Sequence, residues 1–351
     1  MRARFLRALA LAGVALVGCG SKTGLKVPPG TATFVVTQVF IGDTPPDNVT
    51  PAAGFNVDGL FTRENIPMAS IGGCFKHDSP SYFDPLENCP LESLNAVEGT
   101  CAVSSGCSRP AACAGGVDNY LPAVLDAIGS TLPVVVPTGL RGVIRDAFLA
   151  RQSAVIVRVT GIDDVENDPH VTLFVYEGRR VDECADVGDN RRYAVLTSSV
   201  RDRDLDRPVI APLPASIRGG RVVPVRGATT TIPLSYFAPA EWLSAVSQLE
   251  NARLSFSIDE RGNGAGNIGG SVRGEALLRA VRTLLPERSA TAIVGGFADI
   301  AVATSTGLVC FDRTATPPRL GDLGVGMLFA LRRIDLDREP VDATPQDACA
   351  R

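Results

Sequence analysis

SAVIVRVTGIDDVENDPHVTLFVYE, residues 153–177, decides the fold class. It holds two β-branched runs, 153–161 and 171–177, whose apolar residues alternate with polar ones or crowd together as in a buried strand. Between them lies a Gly-, Asp- and Asn-rich stretch suited to a turn. The same pattern recurs in TATFVVTQVFI (31–41), RYAVLT (192–197), RVVPVR (221–226), TTTIPL (229–234), ARLSFSID (252–259) and VGMLFALRRI (325–334). Short strands with turn signals between them predict a mainly β body, sandwich-like or jelly-roll-like.

Helices are few. Leu140, Val143, Ile144, Ala147 and Phe148 share one face of a helix through GLRGVIRDAFLAR, and Leu277, Leu278, Val281, Leu284 and Leu285 share one through GEALLRAVRTLLP. A third helix is expected from Asn119 to Gly129. A fourth is expected from Pro239, a residue favoured in a first helical turn, to Leu249.

The amino-terminal segment carries Arg2, Arg4 and Arg7 ahead of the apolar run Ala8–Val17, the layout of an export signal, and is too short to span a bilayer. Leu16, Val17 and Gly18 then lead directly into Cys19, which resembles a bacterial lipobox. That resemblance implies cleavage before Cys19, diacylglycerol on its thiol and acyl chains of the palmitate kind on the new amino terminus. At about 0.8 kcal/mol per buried methylene, two or three chains would hold a water-soluble body on a membrane. The expected organisation is a signal peptide (1–18), an acylated tether (19–30), a β-rich body (31–338) and a carboxy-terminal tail (339–351).

Cysteine parity agrees with export. Setting Cys19 aside leaves Cys74, Cys89, Cys101, Cys107, Cys113, Cys184, Cys310 and Cys349, an even set suited to disulfides in an oxidising compartment. Five of them fall between Gly72 and Val117 among Pro, Ser, Gly and Asn, so a cystine-stapled insertion is expected over 72–118. The pairing is left open.

Without the three leader arginines, 31 basic residues face 38 acidic ones and the formal charge moves from −4 to −7. That argues against nucleic acid as a partner. A nucleotide is excluded on other grounds. GAGNIGG (264–270) has the spacing of a dinucleotide fingerprint, but no helix starts at its glycines to meet a pyrophosphate, so it reads as a Gly/Asn-rich hairpin. No GxSxG elbow and no HExxH pair is present, and the two histidines are His77 and His170. Cys74 and His77 have CxxH spacing without a CxxC partner, and cystines are preferred there to zinc.

Three acidic turns, GFNVDG (54–59), GGVDNYL (115–121) and GIDDVENDPH (161–170), follow strand-like pairs. Oxygen ligands from several loops at one end of a β body would suit calcium, with Asp58, Asp118, Asn119, Asp163, Asp164 and Asp168 as candidates. The competing reading, turn-making and helix capping by Asp and Asn, takes precedence because none of these loops holds a contiguous calcium motif. RDLDRPV (203–209) and RIDLDREPV (333–341) look alike, a similarity that charged strand ends can also reach by chance.

GCFKHD, GGVDNYL, VTGIDDVENDPHVTLFVYEG and IDERGNGAGNIGGSVRGEALL, in that order, resemble a group of uncharacterised lipoproteins of myxobacterial type. The resemblance implies an extracytoplasmic location, at the outer membrane rather than the inner, and brings no activity with it. The expected function is a lipid-anchored binding or structural module of the cell envelope, for a glycan or an envelope protein. An extracytoplasmic hydrolase of polysaccharide or peptide is the alternative.

Overall fold

The β-branched run that opens the body becomes an 11-residue strand, β1 (Gly30–Phe40), which alternates its side chains between two faces and pairs on both edges. In the computed structural model, the described residues are 30–41, 101–102, 112–113, 119, 121–132, 137–181, 192–225, 227–258, 262–297, 302–304, 307–309, 311–312 and 319–342. Seven further strands complete the barrel wall within an 11-stranded sheet: β2 (Ala154–Ile162), β3 (Asn167–Arg180), β4 (Leu213–Arg218), β5 (Arg221–Pro224), β6 (Gln248–Ile258), β7 (Asn263–Val272) and β8 (Leu323–Arg333).

Each strand pairs antiparallel with the next in the chain, and β8 pairs antiparallel with β1. The chain is mainly β with a few helices, but the expected sandwich or jelly roll is corrected: the sheet closes into an eight-stranded barrel of up-and-down order. The 14-residue β3 makes the closure, matching Thr172–Gly178 to β2 on one edge and Asn167–Leu173 to β4 on the other. Closure leaves the barrel wall no free edge, which an open sheet would have to protect.

The inner face is apolar and filled. Phe34, Val157, Leu173, Ile217, Phe256 and Phe329 are among its buried residues. Room for the aromatics comes from GAGNIGG, which is not the expected hairpin but the body of β7. A Cβ on Gly266 would lie 2.4 Å from the Ser255 carbonyl oxygen, 2.5 Å from the Phe329 ring and 2.6 Å from Phe256 Cβ. Glycine there is a packing requirement.

The two ends of the barrel differ. Short connections join β2 to β3, β4 to β5 and β6 to β7 at one end, where β1 also enters and β8 leaves. The long connections start from the other end; the one from β1 to β2 carries helices α1 (Leu121–Thr131) and α2 (Gly139–Ala150), and the one from β7 to β8 carries α3 (Gly274–Arg282) and α4 (Glu287–Phe297). Val124, Ile128, Ile144, Phe148, Leu277 and Val281 join the same apolar cluster as the barrel interior. Among the described residues no helix is long and apolar enough to cross a membrane. The inner face of the wall is apolar; on its outer side Arg158 bonds Asp206, and the fully buried Ser255 donates to Asn267.

A second, smaller cluster lies outside the wall. Val35, Ile156, Phe174 and Tyr176 on the outer face of β1, β2 and β3 are covered by Tyr193, Val195, Val200 and Ile334. The cover consists of short strands, Arg192–Val195, Val200–Arg201, Asp204–Pro208 and Asp335–Leu336. Here the expected fourth helix also fails: Pro239–Leu249 holds only a single 3-10 turn, Glu241–Leu243. Gln248 and Leu249 pair instead with Pro233 and Ile232, so sheet pairing overrides the helical start signal.

Candidate functional site

Two segments of nearly the same sequence border a surface groove. Asp204-Leu205-Asp206-Arg207 and Asp335-Leu336-Asp337-Arg338 both lie in the cover over the second cluster. In each, the leucine packs inward against that cluster. In each, the second aspartate pairs with an arginine of a neighbouring strand: Asp206 with Arg158 at 2.8 Å and Asp337 with Arg192 at 3.1 Å. The first copy is turned by Asp202 and Arg203, both at positive φ (52° and 57°), the form a two-residue hairpin needs. Arg203 ties the copies together by donating to the Pro340 carbonyl at 2.6 Å.

Between the copies runs a groove of about 340 Å³, lined by Thr31 and Thr33 of β1, Arg158 of β2, Arg333 at the end of β8, and Asp335 and Arg338 beyond it. Leu205 and Leu336 supply apolar lining. Arg158 is fixed: its guanidinium lies 5.4 Å from the Phe174 ring centroid and bonds Asp206. Burial works against its charge, but Tyr176 and Asp206 more than offset that and hold its pKa above the ordinary arginine value. The Tyr176 hydroxyl donates to the Leu205 carbonyl at 2.5 Å, and burial pushes its phenol up to about 12 although Arg158 pulls the other way. Arg333, Arg338 and Asp335 form no ion pair among the described residues. With Arg158 neutralised by Asp206, the lining keeps two unpaired guanidiniums against one carboxylate.

The acidic hairpin between β2 and β3 has a different character. Asp168, 4% exposed, accepts the backbone N–H of Asp163 at 2.7 Å and of Asp164 at 3.3 Å on one oxygen, and that of His170 at 2.9 Å on the other. Asp164 accepts from Glu166 and Asn167. Burial raises the Asp168 pKa, and the three amides outweigh it and hold the carboxyl below the usual aspartate value. These carboxylates make the turn, as the capping reading expects.

The described calcium candidates lie at two ends of the barrel. Asn119 is fully buried and accepts from the Gly326 amide in β8, toward the helical end, whereas Asp163, Asp164 and Asp168 lie at the opposite end. Asp58 and Asp118 lie outside the described residues. Among the described residues no group of three or more His, Cys, Asp and Glu side chains is gathered to hold a metal ion. Cys101 and Cys113 stand opposite each other in the backbone register of a two-stranded ladder. Cys19, Cys74, Cys89, Cys107, Cys184, Cys310 and Cys349 lie outside the described residues.

A buried polar knot was not legible in the sequence. Arg151, just past α2, donates to the carbonyls of Ser153 at 2.7 Å and Tyr236 at 2.5 Å, with Glu177 at 3.9 Å. Burial lowers its pKa against the pull of Glu177 and Tyr236. Ser199 accepts the Glu177 amide and lies 3.3 Å from the Tyr236 hydroxyl. These bonds join α2, β3 and the segment after β5, a structural role.

Comparison with protein-family models, curated proteins and solved structures gives no match for this chain. The groove is therefore weighed on its own chemistry. Its one signal in the sequence is the pair of DLDR segments, whose leucines, Leu205 and Leu336, line the same groove.

Proposed function

We propose that the chain is a lipid-anchored protein of the cell envelope, held on the extracytoplasmic side by Cys19, and that it serves there as a binding module for a glycan or another envelope protein. The observation that carries this reading is the groove between the DLDR segments. It combines guanidinium, carboxylate, hydroxyl and aliphatic groups on a rigid barrel wall, which suits recognition. β1 starts beside it, so a tether over residues 19–30 would keep the groove within about 40 Å of the anchored sulfur.

The test is co-sedimentation of the full-length chain, in nonionic detergent, with isolated envelope polysaccharide. Wild type should be retained, and Thr31→Trp, which places a large ring in the groove from an exposed position, should release it. Absence of retention would remove the module reading, and steady release of soluble sugar would favour the hydrolase. For the anchor, Cys19→Ser should move the protein from the membrane pellet to the soluble fraction; a variant that stays pelleted refutes it.

A further inference from the structure

We infer that the groove between the two DLDR segments takes an acidic saccharide, with the Arg333 and Arg338 guanidiniums receiving a uronate carboxylate. This deepens, and rests on, the reading of the groove as a recognition surface.

The lining specifies more than an anion. Arg333 and Arg338 offer forked N–H donors that match a carboxylate, and neither has an ion-pair partner among the described residues. Asp335 stands in the same lining. It would repel a compact, highly charged ion such as phosphate, but it is a strong acceptor for a sugar hydroxyl. The exposed Thr31 hydroxyl can both donate and accept, as sugar recognition requires. Leu205 and Leu336 offer an aliphatic face against which the C–H side of a pyranose can lie. A ligand with a carboxylate, several hydroxyls and an apolar ring face uses all of these; an acidic peptide would leave Asp335 facing like charge.

The flanking segments are neutralised within themselves: Asp206 pairs with Arg158, Asp337 with Arg192 and Asp202 with Arg207. Among the described residues, the charge that the lining leaves unpaired is that of Arg333, Arg338 and Asp335.

Fluorescence titration of the full-length chain in nonionic detergent tests the inference, with labelled hexagalacturonate as probe. Binding should saturate and weaken as salt rises through about 0.3 M. The fully methyl-esterified hexamer, which keeps the hydroxyls and loses the charge, should bind about tenfold or more weakly. Inorganic phosphate and pentaglutamate should compete poorly. The Arg333→Gln/Arg338→Gln variant should lose about tenfold or more in affinity with an unchanged melting temperature. Arg338→Gln alone, on an exposed side chain, serves if the double variant folds poorly. Equal binding of acid and ester, tighter binding of pentaglutamate, or wild-type affinity in the variants would overturn the assignment. So would no binding of the hexamer; if polysaccharide retention and its loss in Thr31→Trp then persisted, the module reading would stand and only the uronate assignment would fall.

Discussion

Phe34 of β1 and Phe256 of β6 meet edge-to-face, ring centroids 5.7 Å apart and planes at 65°, although β7 and β8 separate their strands along the wall. In an open sheet residues three strands apart would lie about 14 Å from each other, so the contact is a product of closure. Phe256→Ala should lower the unfolding free energy by about 3–5 kcal/mol, as expected for a fully buried ring. A double-mutant cycle with Phe34→Leu should show a coupling of about 0.5–1.5 kcal/mol in urea unfolding. Strict additivity would contradict a closed barrel.

Glycines of β7 and α4 should respond in opposite directions to the same substitution. Gly266→Ala drives a methyl into the Ser255 carbonyl and the Phe329 ring, and the carbonyl belongs to a paired strand that cannot move aside. A loss of about 1–3 kcal/mol is expected. Gly296, exposed near the end of α4, has nothing within 4 Å of an added Cβ. Gly296→Ala should stabilise by about 0.5–1 kcal/mol through lower backbone entropy in the unfolded chain. Chemical denaturation of the two variants beside wild type checks both signs.

These positions also mark where sequence reading succeeded and stopped. The long strands were legible because Val155, Val157 and Val159, or Val325, Met327, Phe329 and Leu331, repeat with period two, and every second residue reaches the core. Closure was not legible, since periodicity reports which face is buried and not which strand lies alongside. GAGNIGG looked like a turn because the cause of its glycines, the rings of Phe256 and Phe329, comes from other strands. The helix Glu287–Phe297 was missed because ERSATAIVGGF carries two glycines and a weak apolar stripe. The strand Leu213–Arg218 contains Pro214, which faces away from the interior beside the buried Leu213 and Ala215. In the groove, only the repeated DLDR was readable; its meaning needed the fold to bring residues 204–207 and 335–338 together.

The Asp168 carboxylate gives a test in acid. Its pKa is depressed in the folded chain, so its stabilisation is present above the unfolded value of about 3.9 and is lost as pH falls through the lower folded value. Asp168→Asn removes the charge and one of the two accepting oxygens, leaving the amides of Asp163 and Asp164, or that of His170, without a carboxylate. At pH 7 the variant should be less stable by about 1 kcal/mol, the scale of a lost turn or cap hydrogen bond. Because protonated wild type resembles the amide, the two stability curves should converge as pH falls through the lowered folded value. Urea unfolding followed from pH 7 to pH 2 reads this directly. A gap that stays constant into acid would mean that the hairpin is held by the shape of residue 168 and not by its charge, and the electrostatic account of the turn would be wrong.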